Sequence, residues 1–522
     1  MQKQIVNYIK AGYPCMYLVS QEIERVKKEL KAVADITKFR MNYWSAASGM
    51  HDVTANKTAT DMNDPLEALS TFRVMSKKSM VVYQDIHMIL RDELNLGIVD
   101  LIRINILDAK KNGKTMIFMG TILELPQEIE KEFPVVELEL PEKEDLEKVL
   151  TCLHSNKNFP PSKVPDEKLQ KELVSAASGL TTAEAENAFA LSLVEGKKFT
   201  PSIVSREKAQ TIKKSGLLEI LHPEETADDI GGMDLLKDWL KQRKSAFSPE
   251  AREYGLPSPR GILIIGVPGT GKTLTAKATA NILGRPIVKM DVGKLFEGIV
   301  GSSEANTRMV TATAEAIAPC VLFIDELEKG FSGTKSSNAT DGGTSSRVFG
   351  SFISWMQDRV KPVFIVGTAN DVTQLPPEFL RKGGRWDELF FCDLPDWTSR
   401  IEIWRIQLKK YKQNDKKLDV HKLAELSKKF TGAEIEQCVI DAMFDAFAKK
   451  RKPTEKDYMN AIDRMVPLAK TMNKEIKAIR DWGSTRARPA CSPAEEVVSD
   501  PKGKAEPSGR SIDLEEEKEN PF

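Results

Sequence analysis

No two of the six cysteines stand in a C-x-x-C pair, although the chain runs to 522 residues. Cys15, Cys152, Cys320, Cys392, Cys438 and Cys491 are scattered, several inside apolar runs. That excludes a disulfide framework and zinc knuckles, and points to a reducing compartment. The sequence H-E-x-x-H is missing, which removes a built-in zinc protease. No run approaches the ~20 apolar residues of a membrane helix, and the opening "MQKQIVNYIKAGYP" has no long apolar core with a cleavage site, so a cytoplasmic protein with no membrane contact is expected. Net charge is lacking too, because Lys plus Arg and Asp plus Glu both count 76. Nothing global favours nucleic acid or a membrane surface.

What is present is ordinary globular material, 41% hydrophobic and 29% charged, with room for two to four domains. From Met1 to about Lys197, the strand-like runs "CMYLVS", "FRMNYW", "MVVYQD", "TMIFMG" and "VVELEL" alternate with amphipathic stretches, as in a parallel sheet flanked by helices. From Glu224 the alternation restarts with "GILIIGV", "PIVKMDV", "CVLFID", "PVFIVGT" and "ELFFCDLP". Continuous apolar runs of this kind suit strands buried on both faces. The expected class is α/β, with one plan used twice: a sheet domain at 1–141 with a helical cap at 142–205, a linker at 206–225, then a sheet domain at 226–396 with a helical lid at 397–468. Beyond Trp482 the composition turns to Pro, Ser, Arg and Glu, so 469–522 is expected to be a linker and disordered tail. "SGTKSSNATDGGTSS", Ser332 to Ser346, is expected to be a mobile loop.

The chemistry concentrates in the second half. "GVPGTGKT", Gly266 to Thr273, fits G-x-x-x-x-G-K-[ST] between the strand "ILII" and the helix-like "LTAKATANILG". Glycines let successive backbone amides turn around a phosphate, and the helix adds its positive end. Lys272 would reach the β and γ phosphates of ATP, and Thr273 would offer its hydroxyl to Mg²⁺. Pro268, Gly269, Thr270, Gly271 and Leu274 complete the cradle. Some fifty residues on, "VLFIDE" ends a strand with Asp325, placed for the metal's water shell, and Glu326, placed to polarise the attacking water. Asn370 ends "PVFIVGTAN"; its amide either orients the same water or caps a turn.

This order of motifs resembles the AAA ATPases, in the clade of proteasomal ATPases, membrane metalloprotease ATPases and cytosolic segregases, over about Ala227 to Pro467. "DDIGGMD" resembles the family's lead-in segment and implies that Asp229, Ile230 and Gly231 lie against adenine. "FTGAEIEQC" resembles the lid signature and implies Gly432 and Ala433 near the base, whereas Gln407 stands where the clade often has histidine. "LPPEFLRKGGRWDELFFCDLPD" resembles the segment whose arginines reach a neighbour's γ phosphate, which implies a homo-oligomeric ring, a hexamer in this family. The two candidates, Arg381 and Arg385, are four residues apart rather than three, which leaves open which is the finger, with Arg385 favoured. Threading unfoldases place an aromatic residue before Val-Gly in their pore loop; here Ile299 precedes Val300 and Gly301.

The first half keeps the strands but lacks a glycine loop. "CMYLVSQEIERVKKEL" runs from strand to helix without G-K-[ST], Asp85-Ile86 stands as counterpart of the metal strand's end, and Thr121 faces the place of Ala369-Asn370. Its cap echoes the lid, "SGLTTAEAENA" beside "TGAEIEQCV". It is expected neither to bind nor to hydrolyse ATP. A degenerate module before an active one is similar to the AAA ATPases of cyanobacterial and algal plastid genomes, which would place the chain in a plastid stroma if plastid-encoded; an unrelated α/β adaptor is the alternative. The closing "IDLEEEKENPF" is similar to the terminal peptide of bacterial single-stranded-DNA-binding proteins, which implies a DNA-maintenance partner reading Phe522 and the carboxyl terminus; the alternative is a solvated acidic tail. Three roles stay open: a ring that remodels a protein or protein complex, a DNA-associated ATPase, and a scaffold that assembles with nucleotide and threads nothing.

Overall fold

The computed structural model describes all residues except 56, 60–61, 91–95, 156–158, 215, 297–301, 332–341, 382, 414–417 and 493–522. The first sheet holds β1 (Cys15–Val19), β2 (Arg40–Ser45), β3 (Gly49–Asp52), β4 (Lys57–Ala59), β5 (Ser79–Gln84), β6 (Thr115–Gly120) and β7 (Val135–Glu137), in the order β4-β3-β2-β5-β6-β1-β7. The five strands legible in the sequence are its parallel core. β3 and β4 were not foreseen; they add an antiparallel extension beside β2, pairing Tyr43 with His51 and His51 with Thr58. Helix α1 (Ile23–Thr37) follows β1. The cap holds α2 (Lys143–His154), α3 (Glu167–Ala177), α4 (Thr182–Glu195) and α5 (Pro201–Lys214), closed on Leu146, Leu173 and Phe189.

The second sheet holds β8 (Leu218–Leu221), β9 (Gly261–Gly266), β10 (Ile287–Met290), β11 (Cys320–Ile324), β12 (Val363–Ala369), β13 (Glu388–Cys392) and β14 (Arg488–Pro489), in the order β14-β13-β9-β12-β11-β10-β8. Among the helices beside it are α6 (Asp234–Lys244), α7 (Lys272–Leu283) and α8 (Ser302–Ile317). The lid holds α9 (Trp397–Lys410), α10 (Val420–Leu426), α11 (Gly432–Ala448) and α12 (Glu455–Arg464) around Trp404, Ile435 and Tyr458. A last helix, α13 (Asn473–Arg486), returns to the sheet. β9, β11 and β12 are buried along their whole length, because crossover helices cover both faces.

The two parallel cores have one topology: β2-β5-β6-β1-β7 runs in the same sense as β10-β11-β12-β9-β13. The common turn after β5 and β11 aligns them residue by residue. Asp85 and Glu326 both take left-handed backbone, with φ of 53° and 51°. Each carbonyl accepts the amide three residues on, Met88 N at 3.1 Å and Lys329 N at 2.9 Å. Carried through the strand registers, this match sets Val19 at Ile265, Gly120 at Ala369 and Thr121 at Asn370. The counterpart of Asp325-Glu326 is therefore Gln84-Asp85, one residue earlier than the expected Asp85-Ile86. An amide stands in place of the Asp325 carboxylate, and it is committed elsewhere: Gln84 Oε1 accepts from the Tyr43 hydroxyl at 2.6 Å, and Nε2 donates to Asp85 at 2.9 Å.

Three other expectations are corrected. Residues 206–225 are no free linker, since α5 runs to Lys214 and β8 pairs antiparallel with β10. The order extends beyond Pro467 and Trp482: Ile479, Trp482 and Ala487 pack on the sheet core, and β14 pairs with β13. A few apolar residues at helical spacing suffice to dock this helix despite its polar composition. The segment read as a loop at Ser332 to Ser346 enters a helix at Gly342, residues 332–341 lying outside the described residues. Among the described residues, no helix is long and apolar enough to cross a membrane.

Candidate nucleotide site

The site lies where β9, β11 and β12 end and the lid comes down on them. β9 closes on Gly266, where a Cβ would stand 2.0 Å from the carbonyl of Cys392 on β13; only glycine permits this approach. Gly269 combines a φ of +78° with a lid neighbour, Thr431 Oγ1, that a Cβ would meet at 3.0 Å. The lid touches the loop directly: Ala433 N donates to Gly269 O at 3.1 Å. Between them is a cavity of about 420 Å³ lined by Asp229 to Gly231, Pro268 to Leu274, Asp325, Glu326, Asn370 and, from the lid, Gln407, Gly432 and Ala433. Gly266 stands just behind it, receiving Lys272.

Lys272 is buried at the start of α7, its ammonium donating to Gly266 O at 2.9 Å and Val267 O at 2.8 Å. Burial pushes its pKa down to about 8, against the opposing pull of Cys392 and of the Glu328, Asp325 and Glu326 carboxylates. Asp325 Oδ1 accepts from two hydroxyls, Thr273 at 3.2 Å and Thr368 at 2.7 Å. Lys289 stands 3.6 Å from its other oxygen. Thr368 Oγ1 also accepts from Glu326 N at 3.0 Å, so one β12 side chain sets both acids. The left-handed backbone at Glu326 is a conformation glutamate rarely adopts, and it turns the carboxylate away from the strand to pair with Lys329 at 2.5 Å.

Asn370 is held through its amide N and Nδ2, which both donate to Glu328 Oε1, at 3.0 and 3.1 Å. Glu328 is 8% exposed, and its Oε2 is buried without a hydrogen-bond partner. Neither Thr368 nor Glu328 was singled out by motif. Their signals were position alone: Thr368 is the residue of β12 abreast of Asp325, and Glu328 is the third acid of "DELE". At the lid end, Gln407 Oε1 is buried and without a partner beside Ile403 and Ile406. An unpaired acceptor there suits an amino group on a purine edge.

The residues fit a magnesium nucleotide. A buried ammonium and backbone amides meet phosphates, while one carboxylate and one hydroxyl suffice for an ion that keeps most of its waters. Among the described residues, no cluster of three or more His, Cys, Asp and Glu side chains could hold a metal without such help. Arg381 and Arg385 do not line this cavity. Arg381 is exposed, and Arg385 is half-buried with Nε and Nη1 buried and unpaired. Ile299, Val300, Gly301 and Phe522 lie outside the described residues.

Comparison with known proteins points to one family. Residues 262–394 match the ATPase family associated with various cellular activities (AAA). Residues 1–138 match the N-terminal domain, and 144–215 the second domain, of SpoVK-like AAA ATPases. The chain is 36% identical over 483 residues to the uncharacterized AAA domain-containing protein ycf46 of Guillardia theta, covering 91% of this chain and 93% of that one. It is 37% identical over 490 residues to the protein of the same name from Trieres chinensis, covering 92% and 96%. An ATP-dependent zinc metalloprotease FtsH 2 of Bdellovibrio bacteriovorus is 32% identical over 355 residues, covering 62% of this chain and 56% of that one.

Proposed function

The chain belongs to the family of AAA domain-containing proteins that the ycf46 relatives represent, an ATPase family, and on that premise we propose that it works as a ring that remodels a protein or protein complex. ATP is bound and hydrolysed in the second half. The observation that carries the site assignment is the cluster of Lys272, Thr273, Asp325, Glu326 and Thr368 at the ends of three adjacent strands, under a lid that shares a hydrogen bond with the loop.

In this reading Gly266 to Leu274 surround the triphosphate, and Lys272 leaves the loop carbonyls to engage the β and γ phosphates. Asp229, Ile230, Gly231, Gln407, Gly432 and Ala433 enclose the base. Thr273 and Asp325 hold magnesium, which when bound offsets phosphate charge. Glu326 takes a proton from water as its oxygen attacks the γ phosphorus, while Asn370 orients that water and ADP departs with the bridging oxygen. The transition state gathers charge on the γ oxygens, and among the described residues no arginine lines this cavity to meet it. Arg385, or else Arg381, supplies it to the next subunit. The two unpaired guanidinium nitrogens of Arg385 support this, since a buried charged donor without a partner is costly unless another group arrives. The first half serves as the platform for substrate or adaptor. The proposed locations are cytoplasm or, for a plastid-encoded chain, stroma.

Glu326→Gln tests the chemistry: ATP affinity is retained and turnover is lost. A normal rate in that variant would refute the assignment. Stimulation of ATPase by an unfolded protein supports remodelling, whereas stimulation by single-stranded DNA alone would replace it with the DNA-associated role. Stimulation by neither would leave the scaffold.

A further inference from the structure

In the first half, β1 and α1 are joined by three residues, Ser20 to Glu22, where β9 and α7 are joined by five, Val267 to Gly271. Too few amides remain to surround a phosphate. What stands at the start of α1 instead is the Glu22 carboxylate, its side chain 7% exposed. Oε2 accepts from the backbone N of Thr182 at 2.9 Å and from the Thr182 hydroxyl. Oε1 pairs with Arg25 at 3.2 Å. Arg25 also donates to Glu139 O at 2.8 Å and stands 3.6 Å from Asp145. One carboxylate and one guanidinium thus bind α1 to the peptide entering the cap, to α2 and to α4.

Thr182 is the first residue of α4, and α4 is the counterpart of α11. Each opens on the same reciprocal cap, Thr181 with Glu184 and Thr431 with Glu434. The residue after the cap is Thr182 in one and Gly432 in the other, and Gly432 lines the nucleotide cavity. The free amides at such a helix end favour an anion. In the second half that place is open to a ligand. In the first it is filled from within the chain.

We propose that Glu22 is a resident substitute for the ligand that the second half takes between its loop and its lid. It keeps the first cap closed on its sheet, so the first half is a fixed body that does not answer to ATP. Motion driven by ATP in the second half then reaches it through contacts on α8: Arg308 stands 3.4 Å from Glu137, and a Cβ on Gly179 would meet Ile317 at 2.7 Å. This goes beyond the ATPase reading and stands on different residues.

The test is hydrogen exchange on the full chain, in the Glu326→Gln background with and without ATP. The amides of Thr182 to Glu184 should exchange equally in both conditions. Loss of a charge-assisted bond should speed their exchange ~10-fold or more in Glu22→Ala, with Glu22→Gln intermediate. Sodium formate should slow it again in Glu22→Ala alone, because a small anion re-enters beside Arg25. Unchanged exchange in Glu22→Ala, no response to formate, or a cap that slows when ATP is added to the Glu22-containing chain would each overturn the proposal. Should Glu22→Ala fail to fold, Glu22→Gln and Thr182→Val give the same readout. Normal cap exchange in Glu22→Ala leaves the ATPase reading intact, whereas normal ATP affinity in Lys272→Ala sinks that reading and not this one.

Discussion

Replacing Thr368 by valine keeps the shape of a fully buried β12 side chain and removes only its hydroxyl. That hydroxyl donates to Asp325 at 2.7 Å and accepts from Glu326 N at 3.0 Å. Losing a hydrogen bond to a carboxylate costs about 1.5–3 kcal/mol, and an unpaired amide adds about 1–3 kcal/mol unless water reaches it. If the first loss falls on the positioning of the two acids, turnover should drop ~10- to 100-fold, since each 1.36 kcal/mol is about a factor of ten. Affinity should change far less, because Lys272 and the loop stand on β9 and α7. Phosphate release gives the rate, and a fluorescent-nucleotide titration with and without magnesium gives the affinity. Thr368→Ser should recover most of the activity. A valine variant that turns over within twofold of wild type, at equal affinity, would show that the hydroxyl places neither acid.

The Lys272 ammonium makes ATP binding pH-dependent. Its pKa of about 8 in the free protein must rise on meeting phosphate, so affinity should fall ~10-fold per pH unit well above 8. Calorimetry in buffers of different ionisation enthalpy should find proton uptake at pH 8.5, and finding none would refute this. Stability runs the other way: the unfolded lysine, with its ordinary value of 10.5, binds a proton the folded one lacks between about 8 and 10.5, so stability should rise with pH in that window. Gly266→Ala would force β9 from β13 and should cost about 3 kcal/mol or more, read as a lower urea midpoint; an unmoved midpoint would show that the strands can part freely. Ending the chain at Met472 removes α13 and β14, and should weaken ATP binding and raise light scattering as the face of Phe391 and Leu389 is bared. A monodisperse product of normal affinity would contradict the packing described.

Much of this was legible because two-sided burial writes itself as unbroken apolar runs, and phosphate binding as glycines at fixed spacing. Most of the ten core strands and the Gly266 to Thr273 loop were readable on those grounds, while β2, with Arg40 and Asn42, and β7, exposed at Val135 and Glu137, were readable from their alternation with helices. The rest depends on partners distant in sequence. β8 and β14 are short additions at sheet edges, one apolar and one nearly polar, and a neighbouring strand makes them strands. The polar face of α13 resembles a tail until Trp482 and Ile479 find the sheet. Gln84 could not be placed opposite Asp325 from the strand "MVVYQD" alone, because a one-residue slip reads equally well until the turn at Asp85 fixes it. Thr368 and Glu328 belong to no motif; their importance is a matter of which strand end lies beside which.

Cys491 and Ser492 fasten the segment that precedes α6. The Cys491 sulfur accepts from Met233 N at 3.2 Å, and Asp234 receives Ser492 N at 2.9 Å, across 258 residues of chain. Ile230 and Gly231, which line the cavity, are thereby anchored by residues that leave a ribosome long after them. A nascent chain lacks this anchor until synthesis has passed residue 492, so a product released earlier would carry Gly266 to Thr273 without the fastening of the segment before α6.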